Sequence, residues 1–104
     1  MDCKVIISAR ALRDLEGIVR YIAVDNPQAA VRFGALLLAE AESIGFLPQS
    51  GRIVPEFRMP DIRERIFRSY RIVYRVDMEQ RRVVVARFWH GAQDTPEVHP
   101  GELT

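Results

Sequence analysis

The sequence predicts an α+β domain of two layers, a helical hairpin packed on a mostly antiparallel, twisted sheet. Its elements run strand, helix, helix, then three strands. Three observations carry this prediction. Residues 62–90 hold three runs of alternating apolar and polar side chains, the period of half-buried strands. Residues 9–44 repeat their apolar side chains every three or four positions, the period of amphipathic helices. Between the two patterns, Pro48, Gly51, Pro55 and Pro60 punctuate an irregular connection. At 104 residues and 48% hydrophobic composition, one domain buries roughly two-thirds of its unfolded surface. That is enough for a core without disulfides.

The first element is the short β-branched run CKVIIS, residues 3–8. Ser8 supplies a side-chain oxygen to cap the free amides of the helix that follows. In that helix Leu12, Leu15, Val19 and Ile22 form the apolar stripe, widened by Ala11 and Ile18, and Arg13, Asp14, Glu16 and Arg20 take the outer face. Asp25-Asn26-Pro27 ends it and starts the next, with Asn26 as cap and Pro27 at the first helical position, where its missing N–H is harmless. The second stripe is Ala30, Phe33, Leu37, Ala41 and Ile44, and Gly45 is the stop. Both stripes need an apolar partner, and the sheet is the one available.

The strands are expected near 62–67, 70–77 and 82–89, with Met78–Arg81 turning between the last two and His90-Gly91 ending the sheet. In the middle strand Tyr70, Ile72, Tyr74 and Val76 fall on one side, and Arg71, Val73, Arg75 and Asp77 on the other. The folded domain is expected over residues 1–94, with a loosely ordered polar tail at 95–104.

Charge is uneven along the chain. Residues 52–87 carry ten basic and five acidic side chains, a net +5 that the overall +1 conceals, and fourteen of the fifteen basic residues are arginine. Arginine's planar fork suits carboxylate or phosphate. The block implies either an anionic partner, nucleic acid or an acidic protein segment, or a solvated strand face. Cys3, the lone cysteine, cannot form an internal disulfide and reads as a buried strand residue. No apolar run approaches the roughly 18 residues that span a bilayer, and no secretory signal pattern opens the chain, so it reads as cytoplasmic. Metal-ligand spacings, nucleotide-binding glycine loops and nucleophile elbows are missing, so no metal or cofactor is expected.

The candidate site residues are therefore charged groups on or near the sheet. Arg71 is either an oxyanion clamp or a surface strand arginine. Arg63, Arg65, Arg75 and Arg87 either align on a receiving face or pair across strands with Glu64 and Asp77. His90 is either a general acid or base, a role histidine suits near neutral pH, or a hydrogen-bonded structural residue at the strand's end. Glu56 becomes a general base only if its loop folds over the sheet.

With these residues laid out, the chain resembles the RelE/ParE superfamily, the toxins of bacterial type II toxin–antitoxin pairs. DLEGIVRYIAVDNPQAAVRF is similar to the family's helical hairpin, and GRIVPE, IRERIF, YRIVYRV and VVVARFWHGAQD continue the match in order. The resemblance covers residues 3–94 and implies the same element order as the residue patterns. It also implies one of two activities. A ParE-like toxin blocks DNA gyrase by binding, and the hairpin and YRIVYRV strand look closest to this branch. The alternative is a ribosome-dependent, metal-independent mRNA endonuclease, in which Glu56 would be the base, Arg71 the phosphate stabiliser and His90 the acid. The RelE-like pattern places an arginine at Gln93, a tyrosine at His99 and a lysine near Glu64 or Arg65, and this chain departs from it at all three. A third possibility keeps the scaffold without toxicity. Each implies a cognate antitoxin whose acidic, partly disordered segment is received by the cationic residues Arg63, Arg65, Arg71, Arg75 and Arg87. No direct DNA binding by this chain alone is expected, and homodimerisation stays open.

Overall fold

Ser8 sets the first boundary. Its Oγ accepts from Ala11 N at 3.0 Å, so the chain stops extending after β1 (Lys4–Ile7) and winds into α1 (Ala9–Ala23). Asn26 Oδ1 caps α2 (Pro27–Ser43) in the same way, accepting from Ala29 N at 3.0 Å, with Pro27 opening the helix. A 3-10 turn at Ile44–Phe46 follows. Then come β2 (Arg52–Ile53), β3 (Ile62–Phe67), β4 (Tyr70–Asp77) and β5 (Arg82–His90). The computed structural model describes residues 2–91. The proposed tail at 95–104, and Gln93, Asp94 and His99, lie outside the described residues.

The strands form one sheet in the order β1-β5-β4-β3-β2. Every pairing is antiparallel except that of β1 with β5, which places Lys4 beside Arg82 and Ile7 beside Val85. The two-residue strand β2 lies in the stretch expected to be irregular; two residues are too short for any period to be read.

The helical hairpin covers one face of the sheet. Its core joins Ala11, Leu37, Ala41 and Ile44 to Ile72, Tyr74, Val76, Val83, Val85 and Phe88, with Leu15, Ile18 and Phe33 packed against it. The stripe of α1 is thus Ala11, Leu15 and Ile18, while Leu12 is 45% exposed. Cys3 is buried in this core and donates its backbone N–H to Gly45 O at 2.7 Å. The hairpin closes tightly because Gly34 of α2 is bare: a Cβ there would sit 2.8 Å from Val19 Cγ2 of α1.

Two features decide where the functional side chains point. Between Val73 and Tyr74 the register with β5 slips: Val73 faces Arg87 and Tyr74 faces Val85, leaving Ala86 as a bulge. The extra residue switches parity along β5, so Val83, Val85, Phe88 and His90 all share the helix-covered face. The opposite face is the second feature. Residues 54–61 fold across it, and Val54 and Phe57 pack on Ile62 and Val73 to form a small second core. Tyr74 Oη accepts from Gly51 N at 3.0 Å and pins the start of this strap through the sheet's edge.

Candidate functional site

The β3–β4 register fixes the site. Arg71 lies opposite Ile66 and Val73 opposite Glu64, so Arg71, Val73 and Arg75 share a face with Ile62, Glu64 and Ile66, away from the helices. On the same face β2 sets Arg52 beside Glu64. Glu64 is 1% exposed, and a carboxyl group at that depth is costly without hydrogen-bonded partners. It has two: Arg52 Nε donates to one oxygen and Arg71 Nε to the other.

The strap completes the arrangement. Glu56 sits at its crest, between the buried Val54 and the half-buried Phe57, and accepts from Arg71 Nη2 at 3.3 Å. A hydrogen bond from its own backbone amide, then the Arg71 charge, holds the Glu56 carboxyl below the ordinary value of 4.5. Burial alone would lower the pKa of Arg71, but its bonds to Glu64 and Glu56 outweigh that and raise it. The strap does fold over the sheet, and it brings Glu56 to Arg71.

His90 is placed differently. It lies opposite Tyr70 and its ring meets the Tyr70 ring edge-on with centroids 5.1 Å apart. It therefore starts from the helix-covered face, whereas Arg71 starts from the other. Among the described residues the two meet at an open cavity of about 300 Å³ at the sheet's end, walled also by Ile66, Arg68, Ser69, Tyr70 and Gly91, and Glu56 is not among these walls.

Of the other four arginines, Arg75 shares the Arg71 face, Arg63 and Arg65 do not, and Arg87 turns to α1. Arg63 and Arg65 fall on the face of Tyr74 and Ile72. Arg63 Nη1 donates to Gln49 O at 3.2 Å and Gly51 O at 2.9 Å. Arg65 holds Ser43 Oγ and Ser50 Oγ, each at 2.6 Å, and Glu40 at 3.3 Å, tying α2 to the strap's start. Arg75 pairs with Asp61 at 2.9 Å on the Arg71 face. Arg87 is buried, grips both oxygens of Asp14 at 2.7 and 3.0 Å, and stacks on Trp89 at 4.6 Å. The five thus divide between two faces and an edge, and each holds an internal partner.

Asp14 corrects the reading of α1. Instead of taking the outer face, it turns to β5 and also accepts from Phe88 N at 3.1 Å, closing the sheet edge that β1 is too short to cover. Its position three after Ala11 and four before Ile18 was the available signal. Glu64 and Arg52 were likewise not singled out as site residues. The alternation Ile62-Glu64-Ile66 does place Glu64 on an otherwise apolar row. Among the described residues no group of three or more histidine, cysteine or acidic side chains is arranged to hold a metal, and no helix is long and apolar enough to cross a membrane.

Comparison with known proteins agrees with this architecture. The sequence model of the family described as "ParE toxin of type II toxin-antitoxin system, parDE" matches residues 5–95. The chain is 34% identical over 94 residues to "Toxin RelE1" of Caulobacter vibrioides, an alignment covering 89% of this chain and 98% of that protein. Among solved structures, the chromosomal ParDE system from P. aeruginosa superposes with a TM-score of 0.70 at 15% identity, covering 85% of this chain and 95% of that one. The toxin–antitoxin complex RelBE2 from Mycobacterium tuberculosis gives 0.65 at 24% identity, covering 86% and 99%. The two superpositions speak for the fold, and the family match runs from the first strand to beyond the last. The chain belongs to the ParE toxin family of type II toxin–antitoxin systems.

Proposed function

We propose that this toxin acts by binding DNA gyrase and that a cognate antitoxin neutralises it. The observation that carries the choice of target is the state of Arg71. Cleaving RNA through its 2′-hydroxyl needs a cation to meet the growing phosphorane charge, with a base and an acid on either side. Arg71 is held between two carboxylates, and the deeper one, Glu64, is sealed from solvent. Glu64 holds its Nε side and Glu56 covers its outer edge, so a phosphate would have to displace an acid rather than meet a free cation. His90 adds to this by starting from the opposite face of the sheet. A binding inhibitor needs none of these groups to converge.

The second reading, a metal-independent mRNA endonuclease using Glu56, Arg71 and His90, draws support from the Glu56–Arg71 contact at 3.3 Å. Two assays with the purified chain separate the readings: supercoiling by gyrase, and message integrity in a translating extract. We expect supercoiling to be blocked and messages to stay whole. Cleavage of ribosome-bound message that disappears in Arg71→Ala or His90→Ala would overturn the gyrase assignment. For the antitoxin, the strap face is the favoured receiving surface, since Arg71 and Arg75 share it with Arg52, whose side chain is 64% exposed. Arg63, Arg65 and Arg87 are given the supporting role of holding the strap, α2 and α1 in place.

A further inference from the structure

We infer that Glu56 is an internal stand-in for an external carboxylate, and that the outer edge of Arg71 is a subsite for an acidic side chain of a partner segment. The inference rests on the reading that an acidic partner docks on the strap face. The two ends of the Arg71 guanidinium are held differently. Nε faces the sealed carboxylate of Glu64, a contact that cannot be exchanged without opening the sheet. Nη2 faces only Glu56, at 3.3 Å, on a side chain that is 33% exposed.

Glu56 is also easy to displace. Its neighbours Val54 and Phe57 are the strap's apolar anchors, and the backbone there is closed by Phe57 N donating to Val54 O at 3.2 Å. The carboxylate can therefore swing into water by side-chain rotation alone, with the strap still seated. Two residues on, Arg58 holds a left-handed backbone with φ of 52°, a conformation that disfavours residues with a Cβ. The crest is thus the strained part of the strap. A carboxylate already sits at Arg71 Nη2 with the Arg52 charge nearby, so the geometry there accommodates that group. A glutamate or aspartate of a partner would replace it one for one, without changing the charge balance over buried Glu64.

The test is a titration of the full-length ¹⁵N-labelled chain with a synthetic hexaglutamate peptide at constant ionic strength, following the Arg71 side-chain Nε–H. Removing the charge of the exposed internal competitor by Glu56→Gln should tighten peptide binding by roughly two- to fivefold, the range of an exposed ion pair. Glu79→Gln, the same charge change in the β4–β5 turn, should leave it unaltered. Equal affinity in Glu56→Gln and the parent chain, or an equal gain in Glu79→Gln, would overturn the subsite. Inorganic phosphate forms the second arm: a larger gain for phosphate than for peptide would assign the position to a nucleic-acid backbone and reject the acidic segment. Neither arm uses gyrase or ribosomes, so the subsite and the choice of target fail separately.

Discussion

Glu64→Gln is the most informative single change in this molecule. It keeps the shape of the side chain and removes one charge from beneath two guanidiniums. The Glu64 side chain is fully buried, that of Arg71 is 11% exposed and that of Arg52 is 64% exposed. Arg52 can turn into water, so its share of the loss is screened. Arg71 cannot, and breaking a buried pair by removing one partner is destabilising by about 3–5 kcal/mol. Glu56 still touches Arg71 and relieves part of this, so about 3 kcal/mol is expected. For a domain of this size that corresponds to a drop in Tm of roughly 10–25 °C. Urea unfolding of the parent, Glu64→Gln, Arg71→Gln and the double variant forms a cycle, in which the double should recover about 2 kcal/mol against the sum of the singles. A loss below about 1 kcal/mol for Glu64→Gln, the size of an ordinary surface change, would refute the argument. It would mean that Arg71 is not balanced by Glu64, and the case against a phosphate role for Arg71 would fall with it.

Other outcomes follow from the same geometry. Gly17 and Gly34 both lie inside helices, yet Ala should act oppositely at the two sites. At Gly17 a Cβ meets nothing within 4 Å among the described residues, so thermal melts should show a gain of about 1 kcal/mol from helix propensity. At Gly34 the Cβ would meet the stiff Val19, and an overpacking penalty of about 1–3 kcal/mol should cancel or exceed that gain. Tyr74→Phe leaves Gly51 N without its buried acceptor; a loss of about 1–2 kcal/mol is expected, read as faster hydrogen exchange at Gly51. For pH, the folded pKa of Glu56 lies below its ordinary value of 4.5. Its contribution is therefore complete above that value and is lost as pH falls through the lower folded one. The difference in urea midpoint between the parent chain and Glu56→Gln should be flat near neutrality and vanish in acid; a difference that persists in acid would show that Glu56 acts by packing.

Much of the scaffold was legible because it is written locally. Ser8 and Asn26 are caps whose oxygens reach amides three residues on, and Tyr70, Ile72, Tyr74 and Val76 do face the helices. What was not legible depends on neighbours distant in sequence. The parallel pairing of β1 with β5 leaves no mark in either strand. The bulge at Ala86 reverses parity inside a continuous apolar run, so His90 cannot be assigned a face by counting from Val83. The expected arginine face depended on the same counting between strands, and register sent Arg63 and Arg65 to one side and Arg71 and Arg75 to the other. Glu56 was tied to a condition, the folding of its loop over the sheet, and Val54 and Phe57 are the residues that meet it.

The pairing of β1 with β5 also sets the order in which the molecule can come into existence. Lys4 and Arg82 stand far apart along the chain, yet they lie side by side. Until β5 emerges, β1 has no sheet partner and Asp14 has neither Arg87 nor the Phe88 amide to hold. Closing so long a loop late is the slow kind of folding event. A prematurely terminated chain would lack the strand that joins its first element to the rest. A chain that stops short of β5 therefore cannot close the sheet on which the Arg71 and Glu64 pairing rests.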